Sequence, residues 1–398
     1  MHFRTLRDVG VRGKRVLLRE DLNVPMKDGA IADETRIDAA LPTLRRLRDD
    51  GAKTVILSHL GRPDGKTNPK YSLRPLAARL SELLGTEVRF VEDCIGDAAV
   101  AASNALADGG FALFENVRFH PEEEANDPGF ARELAKSGDL YVNDAFGTAH
   151  RAHASTAGVA AYLPAYAGLL MEAELAALSR LMGEPARPFV CAIGGAKVVD
   201  KVGVFENLLA NVDAFVIGGG MANTFLAAQG IDVGTSLRDP DLLPAQRIIA
   251  TSLARGVDLH LPTDAVVADS FDADDTARTV PLEQVGGGMI LDIGPETARA
   301  YAEVLRRGKT IVFNGPMGVY EKPPYQNGTL VVGEAIGEAT RNGAISVIGG
   351  GDAAAAAHAL GFANAVTHVS TGGGATLEFL EGKTLPGVAA LEQSAARS

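Results

Sequence analysis

The sequence predicts an α/β protein of two doubly wound, parallel-sheet (Rossmann-like) domains joined by a central helix. Three observations carry this reading. The 398 residues exceed the length at which a single hydrophobic core stops growing. Short β-rich runs alternate with helix-length apolar spacing in both halves, as in strands linked by crossover helices. Between the halves, Gly168 to Met182 reads G-L-L-M-E-A-E-L-A-A-L-S-R-L-M. Leu170, Glu174, Ala177 and Leu181 share one helical face, and Met171, Leu175, Leu178 and Met182 an adjacent one. That apolar arc is too wide for an ordinary surface helix. We assign residues 1–167 to an N-terminal domain, 168–182 to an interdomain helix and 183–384 to a C-terminal domain. The tail, 385–398, is too short to stand alone and is expected to pack back on the first domain.

In chain order, the first-half strands are expected at Arg15–Leu18, Thr54–Leu57, Glu87–Val91, Phe111–Phe114 and Leu140–Val142. Arg36–Asp50 and Leu73–Leu84 carry helical spacing between them. Pro164 precedes the central helix, and Gly183, Pro185 and Pro188 end it. The second-half strands are expected at Phe189–Ile193, Ala214–Ile217, Asp258–Leu261, Thr310–Phe313, Ile345–Ile348 and Val366–Val369. The two halves share an architecture without a sequence repeat.

Hydrophobic residues make up 46% and charged residues 22%, an ordinary globular composition. The net charge of −12 argues against a nucleic-acid or anionic-membrane surface. Residues 1–167 hold 22 Lys/Arg against 24 Asp/Glu, net −2, and residues 168–398 hold 16 against 26, net −10. Cys94 and Cys191 form no disulfide framework, and nothing near them in sequence has metal-ligand spacing. The N-terminus has no apolar run of signal-peptide length and no stretch could span a bilayer, so a cytoplasmic enzyme is expected.

In parallel sheets ligands sit beyond the carboxyl ends of the strands. The first half places Asp21, Asn23, His59, Arg62, Asn116, Arg118, Asn143, Asp144 and Arg151 there, with Arg36 opening the helix after the first strand. Arg36, Arg62, Arg118 and Arg151 are four planar forks suited to a small, multiply anionic ligand. The second half places glycines there: I-G-G-A-K at Ile193–Lys197, I-G-G-G at Ile217–Gly220, I-G-G-G-D at Ile348–Asp352 and S-T-G-G-G at Ser370–Gly374. Such runs let backbone N–H groups approach phosphate. With Lys197 and Asp352 attached, they favour a nucleotide polyphosphate with Mg²⁺. Lys197 and Lys201, four apart, share a helical face if a helix begins there.

Other nucleotide signatures fail. Gly-Lys-Thr occurs at 65–67, 308–310 and 382–384, but Leu60, Glu303 and Leu377 stand where a Walker loop needs glycine. No G-x-G-x-x-G follows the first strand, which argues against a dinucleotide-dependent dehydrogenase. A hinged anion-binding protein would leave Lys197 and Asp352 without purpose. His150 and His153 lack a third zinc ligand, and there is no G-x-S-x-G elbow.

R-E-D-L-N-V-P at Arg19–Pro25, S-H-L-G-R-P at Ser58–Pro63, E-N-V-R-F at Glu115–Phe119 and G-T-A-H-R-A-H at Gly147–His153 resemble the phosphoglycerate kinase family. So do G-G-A-K-V-V-D-K at Gly194–Lys201, G-G-G-M-A-N-T-F at Gly218–Phe225, N-G-P-M-G-V at Asn314–Val319 and the two late glycine motifs. The resemblance runs in order from about residue 13 to about residue 391.

It implies a monomeric, cytoplasmic, glycolytic kinase that transfers a phosphoryl group between 1,3-bisphosphoglycerate/ADP and 3-phosphoglycerate/ATP with Mg²⁺. By that analogy Arg62, Arg118 and Arg151 hold the 3-phosphate end beside His59. Asp21 and Asn23 read the hydroxyl and carboxyl side, with Leu22, Leu60 and Gly61 lining the same subsite. Arg36 faces the transferring group, Lys197 tracks it, and Gly350 and Gly373 present N–H groups to it. Lys201 holds nucleotide phosphate, Glu321 the ribose and Asp352 the metal. Gly195, Gly219, Asn314, Gly350, Gly351, Asp352 and Ala353 line the nucleotide, with Gly372–Gly373 completing the phosphate cradle. The central helix becomes a hinge. Leu22, Val199 and Phe313 depart tolerably from the family pattern. Ala353 replaces the usual Thr or Ser, so weaker nucleotide binding is expected.

Overall fold

The computed structural model describes residues 2–397. The chain divides into two compact units: Met1–Ala176 with Thr384–Ser398, and Ala177–Lys383. The division falls inside the helix Leu169–Met182, on which Met171, Leu175, Leu178, Leu181 and also Glu174 are buried.

Unit 1 contains β1 (Arg15–Arg19), β2 (Met26–Lys27), β3 (Ala30–Ile31), β4 (Lys53–Leu57), β5 (Val88–Val91), β6 (Phe111–Phe114), β7 (Leu140–Asn143) and β8 (Ala165–Ala167). Six of these form one parallel sheet in the order β5-β6-β4-β1-β7-β8, with β2 and β3 making a separate hairpin. The central strands are buried on both faces, as R-V-L-L-R and K-T-V-I-L show by their continuous apolar runs. Leu18, Ile56, Leu113 and Val142 pack there against Leu44, Leu76 and Leu80 of the helices Thr35–Asp49 and Arg74–Leu84. The C-terminal helix Pro386–Ala396 belongs to this unit: the Ala165 N–H donates to Ser394 Oγ at 2.9 Å, and the Gly387 N–H to the Ala149 carbonyl at 2.8 Å.

Unit 2 contains β9 (Phe189–Ile193), β10 (Ala214–Ile217), β11 (Asp258–His260), β12 (Asp264–Ala268), β13 (Arg278–Pro281), β14 (Met289–Ile293), β15 (Thr310–Asn314), β16 (Ile345–Ile348) and β17 (His368–Val369). Its parallel sheet runs β11-β10-β9-β15-β16-β17. A three-stranded antiparallel sheet, β13-β12-β14, has a small core of its own around Leu226, Val267 and Val285. The sequence reading expected no strands in this stretch. Asp- and Gly-rich turns separate these strands, and R-T-V-P and M-I-L-D-I place polar residues where the parallel strands are apolar.

Candidate functional site

In unit 1 the carboxyl ends of β1, β4, β6 and β7 bring most of the expected residues to one sheet edge. The loops are locked together by their own polar groups. Asn23 Oδ1 accepts from the Gly61 N–H at 2.8 Å, and the Leu22 N–H donates to Ser58 Oγ at 2.9 Å. Asn116 Nδ2 donates to the Leu60 carbonyl at 2.8 Å and to that of Tyr71 at 2.9 Å. Gly61 has a positive φ of 62°, and a side chain there would strike the Tyr71 ring, so this turn requires glycine.

Cations surround His59, which is 3% exposed. Its Nδ1 lies 3.2 Å from Arg19 Nη2 and 3.9 Å from Asp21 Oδ1. Burial first, then the charges of Arg19, Arg118, Arg36 and Arg151, push the imidazole pKa well below its ordinary value. His59 is therefore neutral at pH 7; with Nδ1 accepting from Arg19, its Nε2–H is left to donate to a ligand oxygen. Arg36 Nη1 donates to the Asn23 carbonyl at 2.6 Å and to Asp21 Oδ1 at 3.4 Å. Arg118 is buried, donates to the Gly61 carbonyl at 2.9 Å and pairs with Glu124 at 3.1 Å; burial chiefly brings its pKa down to about 10. Arg151 Nε approaches His150 Nε2 at 3.2 Å. Burial first, then Arg118, Arg19 and Arg151, brings His153 down to about 4. Arg62 is the exception: it is exposed and its side chain makes no hydrogen bond or ion pair among the described residues.

Two functional residues of this region, Arg19 and Glu123, carry no signal that singles them out in the sequence. Arg19 is wholly buried, contacting Ser155 Oγ at 2.9 Å and the Glu20 carbonyl as well as His59. Glu123, also buried, accepts from the Ser155 N–H at 2.8 Å and Oγ at 2.5 Å; burial raises its pKa, and the charge of Arg19 pulls it back down. Arg19 opens the R-E-D of the first motif, and a charge closing an apolar strand reads as its solvent end.

In unit 2 a cleft of about 560 Å³ is lined on one side by Gly195, Gly219 and Gly220. Leu237, Leu291, Met317 and Val319 form an apolar wall, and Glu321 and Asp352 add carboxylates. An apolar slot leading to backbone N–H groups and an acidic group suits a planar base, its sugar and a phosphate chain. Gly219, with φ at +66°, starts the helix Gly219–Ala228; an added Cβ would lie 2.7 Å from both the N and O of Gly195. Gly350, at φ +95°, precedes the helix Gly351–Ala359, whose first turn carries Asp352 and the buried Ala353. Asn314 Nδ2 donates to the Gly349 carbonyl at 2.7 Å, and Gly373 at φ +49° precedes the helix Gly374–Leu380.

The two lysines do not share an α-helical face. Val199–Lys201 is a 3₁₀ turn and the α-helix begins only at Val202, because the chain is still leaving the glycine turn at Lys197. Lys197 is exposed and makes no hydrogen bond or ion pair among the described residues. Lys201 turns inward, donating to the carbonyls of Gly194 at 2.7 Å and Asn314 at 2.9 Å. Burial lowers its pKa to about 8. Asp292, unforeseen in sequence, is a buried cleft residue that accepts from the N–H groups of Gly328 at 2.7 Å and Ile293 at 2.9 Å; burial raises it to about 8.

Comparison with known proteins agrees with this geometry. A family model described as phosphoglycerate kinase matches residues 6–383. The phosphoglycerate kinase of Chloroflexus aurantiacus is 55% identical over 399 residues, covering 99% of this chain and 100% of the relative. The solved phosphoglycerate kinase of Coxiella burnetii superposes with a TM-score of 0.90 at 42% identity, covering 98% of this chain and 99% of that one. The enzyme from Pyrococcus horikoshii OT3 gives a TM-score of 0.86 at 36% identity, with both chains fully covered.

Proposed function

Because the chain belongs to the phosphoglycerate kinase family, we propose a division of its residues between the two substrates of that family's reaction. Membership makes the protein a phosphotransferase with a carboxyl acceptor. It interconverts 1,3-bisphosphoglycerate plus ADP with 3-phosphoglycerate plus ATP in glycolysis.

The observation carrying the assignment is the set of cations around the neutral His59. Arg118 and Arg151, with Arg62 swinging in from its exposed position, bind the 3-phosphate. Asp21, Asn23 and His59 orient the hydroxyl and carboxyl groups, on a floor made by Leu22, Leu60 and Gly61, and Arg36 neutralises the transferring phosphoryl group. Arg19 positions His59. In unit 2 the cleft takes ADP or ATP: Gly195 and Gly219 against the nucleotide, Glu321 toward the ribose, Lys201 and the N–H groups of Gly350–Ala353 and Gly373 toward the phosphates. Asn314 holds the Gly349 end of that cradle, and Lys197 is the mobile cation that follows the transferred group.

The nucleophile is the substrate's carboxylate, ionised at pH 7, so no general base is required. Catalysis then rests on in-line positioning and on spreading charge over a loose transition state. Mg²⁺ fits: one carboxylate plus phosphate oxygens is the usual donor set for this cation, and Asp352 stands in the cleft at a helix start. When bound, the ion would neutralise phosphate charge. Excluding water from the acyl phosphate requires the two units to close before transfer, with Leu169–Met182 as the hinge. The protein acts as a cytoplasmic monomer on small molecules, without nucleic acid or membrane partners; among the described residues no helix is long and apolar enough to cross a membrane.

The test is 3-phosphoglycerate-dependent ADP formation from ATP, with Mg²⁺ or with EDTA, for the wild type and Arg36→Ala. Mg-dependent turnover that collapses in the variant is the expected result. Undiminished turnover in Arg36→Ala would remove that residue from the assignment.

A further inference from the structure

Away from both substrate sites, unit 1 brings together a thiol, an imidazole and a carboxylate. Asp93 and Cys94 follow β5, and His120 follows the turn after β6, 27 positions beyond Asp93. One donor atom from each lies within 4.8 Å of the other two. His120 Nε2 is 2.8 Å from Asp93 Oδ1, and the Cys94 N–H donates to the same oxygen at 2.6 Å. Cys94 is buried, His120 is half-buried with its ring 5.1 Å from that of Phe130, and Asp93 is exposed. The cluster is thus a buried thiol beside a solvent-exposed carboxylate.

We propose that Asp93, Cys94 and His120 form a binding site for a divalent transition-metal ion of the zinc class. The donor set decides the class. A thiolate with an imidazole selects zinc or cobalt over magnesium or calcium, and three protein ligands with a water complete a tetrahedron. Donor atoms around one such ion stand about 3.5 Å apart, so side-chain shifts of about 1 Å assemble it. Glu122 and Glu123 add negative charge near the His120 and Asp93 donors. A metal replaces the protons that now hold the three groups together. The thiol proton leaves to water and the ion takes its place, with no change of oxidation state.

The site is separate from the Mg²⁺ of the reaction, and its effect would be structural. It ties the loop after β5 to the segment after β6, two residues from Arg118. Binding therefore steadies the anchor of a substrate-holding arginine without touching substrate.

The experiment uses the purified full chain, stripped with chelator and kept reduced. It is titrated with Co²⁺ while the thiolate-to-cobalt charge-transfer band is followed, then with Zn²⁺ in competition. One Co²⁺ per chain with that band, displaced by one Zn²⁺, is expected. Cys94→Ser should abolish the band. His120→Gln and Asp93→Asn should each weaken Co²⁺ binding by at least ~10-fold, the lower end for losing even an outer partner of a metal site. All three should keep Mg-dependent turnover, which also reports that they fold. Zn²⁺ should raise the melting temperature of the wild type and not of His120→Gln. No band in the wild type, a band that survives in Cys94→Ser, or unchanged affinity in His120→Gln would each overturn the proposal. Should Cys94→Ser fail to fold, the two surface variants decide it.

Discussion

Replacing Arg19 by Met tests whether the buried charge network organises the substrate half. The guanidinium is fully buried and contacts Ser155 Oγ, the Glu20 carbonyl and His59 Nδ1, and Glu123 is the buried acid that balances it. Methionine nearly fills the volume but removes the strongest favourable charge acting on buried Glu123, leaving the weaker pull of Arg118. Removing one member of a buried pair costs about 3–5 kcal/mol, and the two or three lost charged hydrogen bonds, at about 1.5–3 kcal/mol each, give the same order. The chain has no tryptophan and two units, so a single unfolding curve is a poor gauge. Hydrogen exchange resolved to the amides of β1 and β7 measures unit 1 directly. Arg19→Met/Glu123→Gln should recover at least half the loss, since glutamine still accepts from Ser155 and carries no charge. The His59 pKa, read by NMR, should rise in the single variant because a neighbouring cation has gone. A loss below about 1 kcal/mol, or a double variant no more stable than the single, would refute the reasoning.

Four further outcomes are expected. Asp292 titrates at about 8 in the fold and near the ordinary aspartate value when unfolded, so the fold binds the extra proton between those values. Unit 2 should therefore lose stability as pH rises from about 4 to about 8, and Asp292→Asn should flatten that slope in melting experiments. Lys201 is a cation only below about 8 in the free protein, so kcat/KM for nucleotide should fall as pH rises through that value; Lys201→Arg should push the fall to higher pH, and an unshifted profile would clear Lys201 of phosphate binding. Gly219→Ala forces a side chain against the Gly195 backbone at a positive φ, a cost of about 1–3 kcal/mol. Calorimetry should show ADP binding lost and 3-phosphoglycerate binding kept. Arg151→Gln removes a like charge from beside Arg118 and His153, so unit 1 should hold or gain up to about 1 kcal/mol by hydrogen exchange while 3-phosphoglycerate binding weakens; equal losses of both would mean the arginine is structural.

The two parallel sheets were legible because their strands are continuous apolar runs and their helices span several turns. Strand ends then located Asp21, His59, Arg118 and the glycine turns without any knowledge of side-chain packing. What failed was long-range or short-lived in sequence. The antiparallel sheet around Val267 carries polar residues within R-T-V-P and M-I-L-D-I and Asp- and Gly-rich turns between its strands, yet it supplies Leu291 to the cleft wall. Lys197 and Lys201 carried the right spacing for one helical face, but the glycine turn delays the helix past both. Arg19 was read past because a strand-terminal arginine is ordinarily solvated; only its partner Glu123, far along the chain, makes burial tolerable. Cys94 and His120 illustrate the same limit, since nothing local signals that two separate loops meet.

The buried acids explain how the substrate half tolerates its own cations. Arg19, Arg36, Arg118 and Arg151 all act on His59, and such a cluster would be self-repelling without compensation beneath it. Glu123 and Arg19 share Ser155 as a hydrogen-bond partner, and the arginine charge lowers the Glu123 pKa against burial. Glu20 and Asp144 are a second buried pair of acids, in contact with each other. Burial first, and the neighbouring Asp144 next, push Glu20 well above the carboxylate range, so it is held as the neutral acid. Asp144, raised by burial to about 6, keeps its charge at pH 7 because Thr43 and the N–H groups of Met171 and Leu170 donate to it. Those two amides open the helix Leu169–Met182, whose N-terminus favours an anion. Asp144 therefore caps the central helix from the loop that follows β7, the strand end that also leads to Arg151.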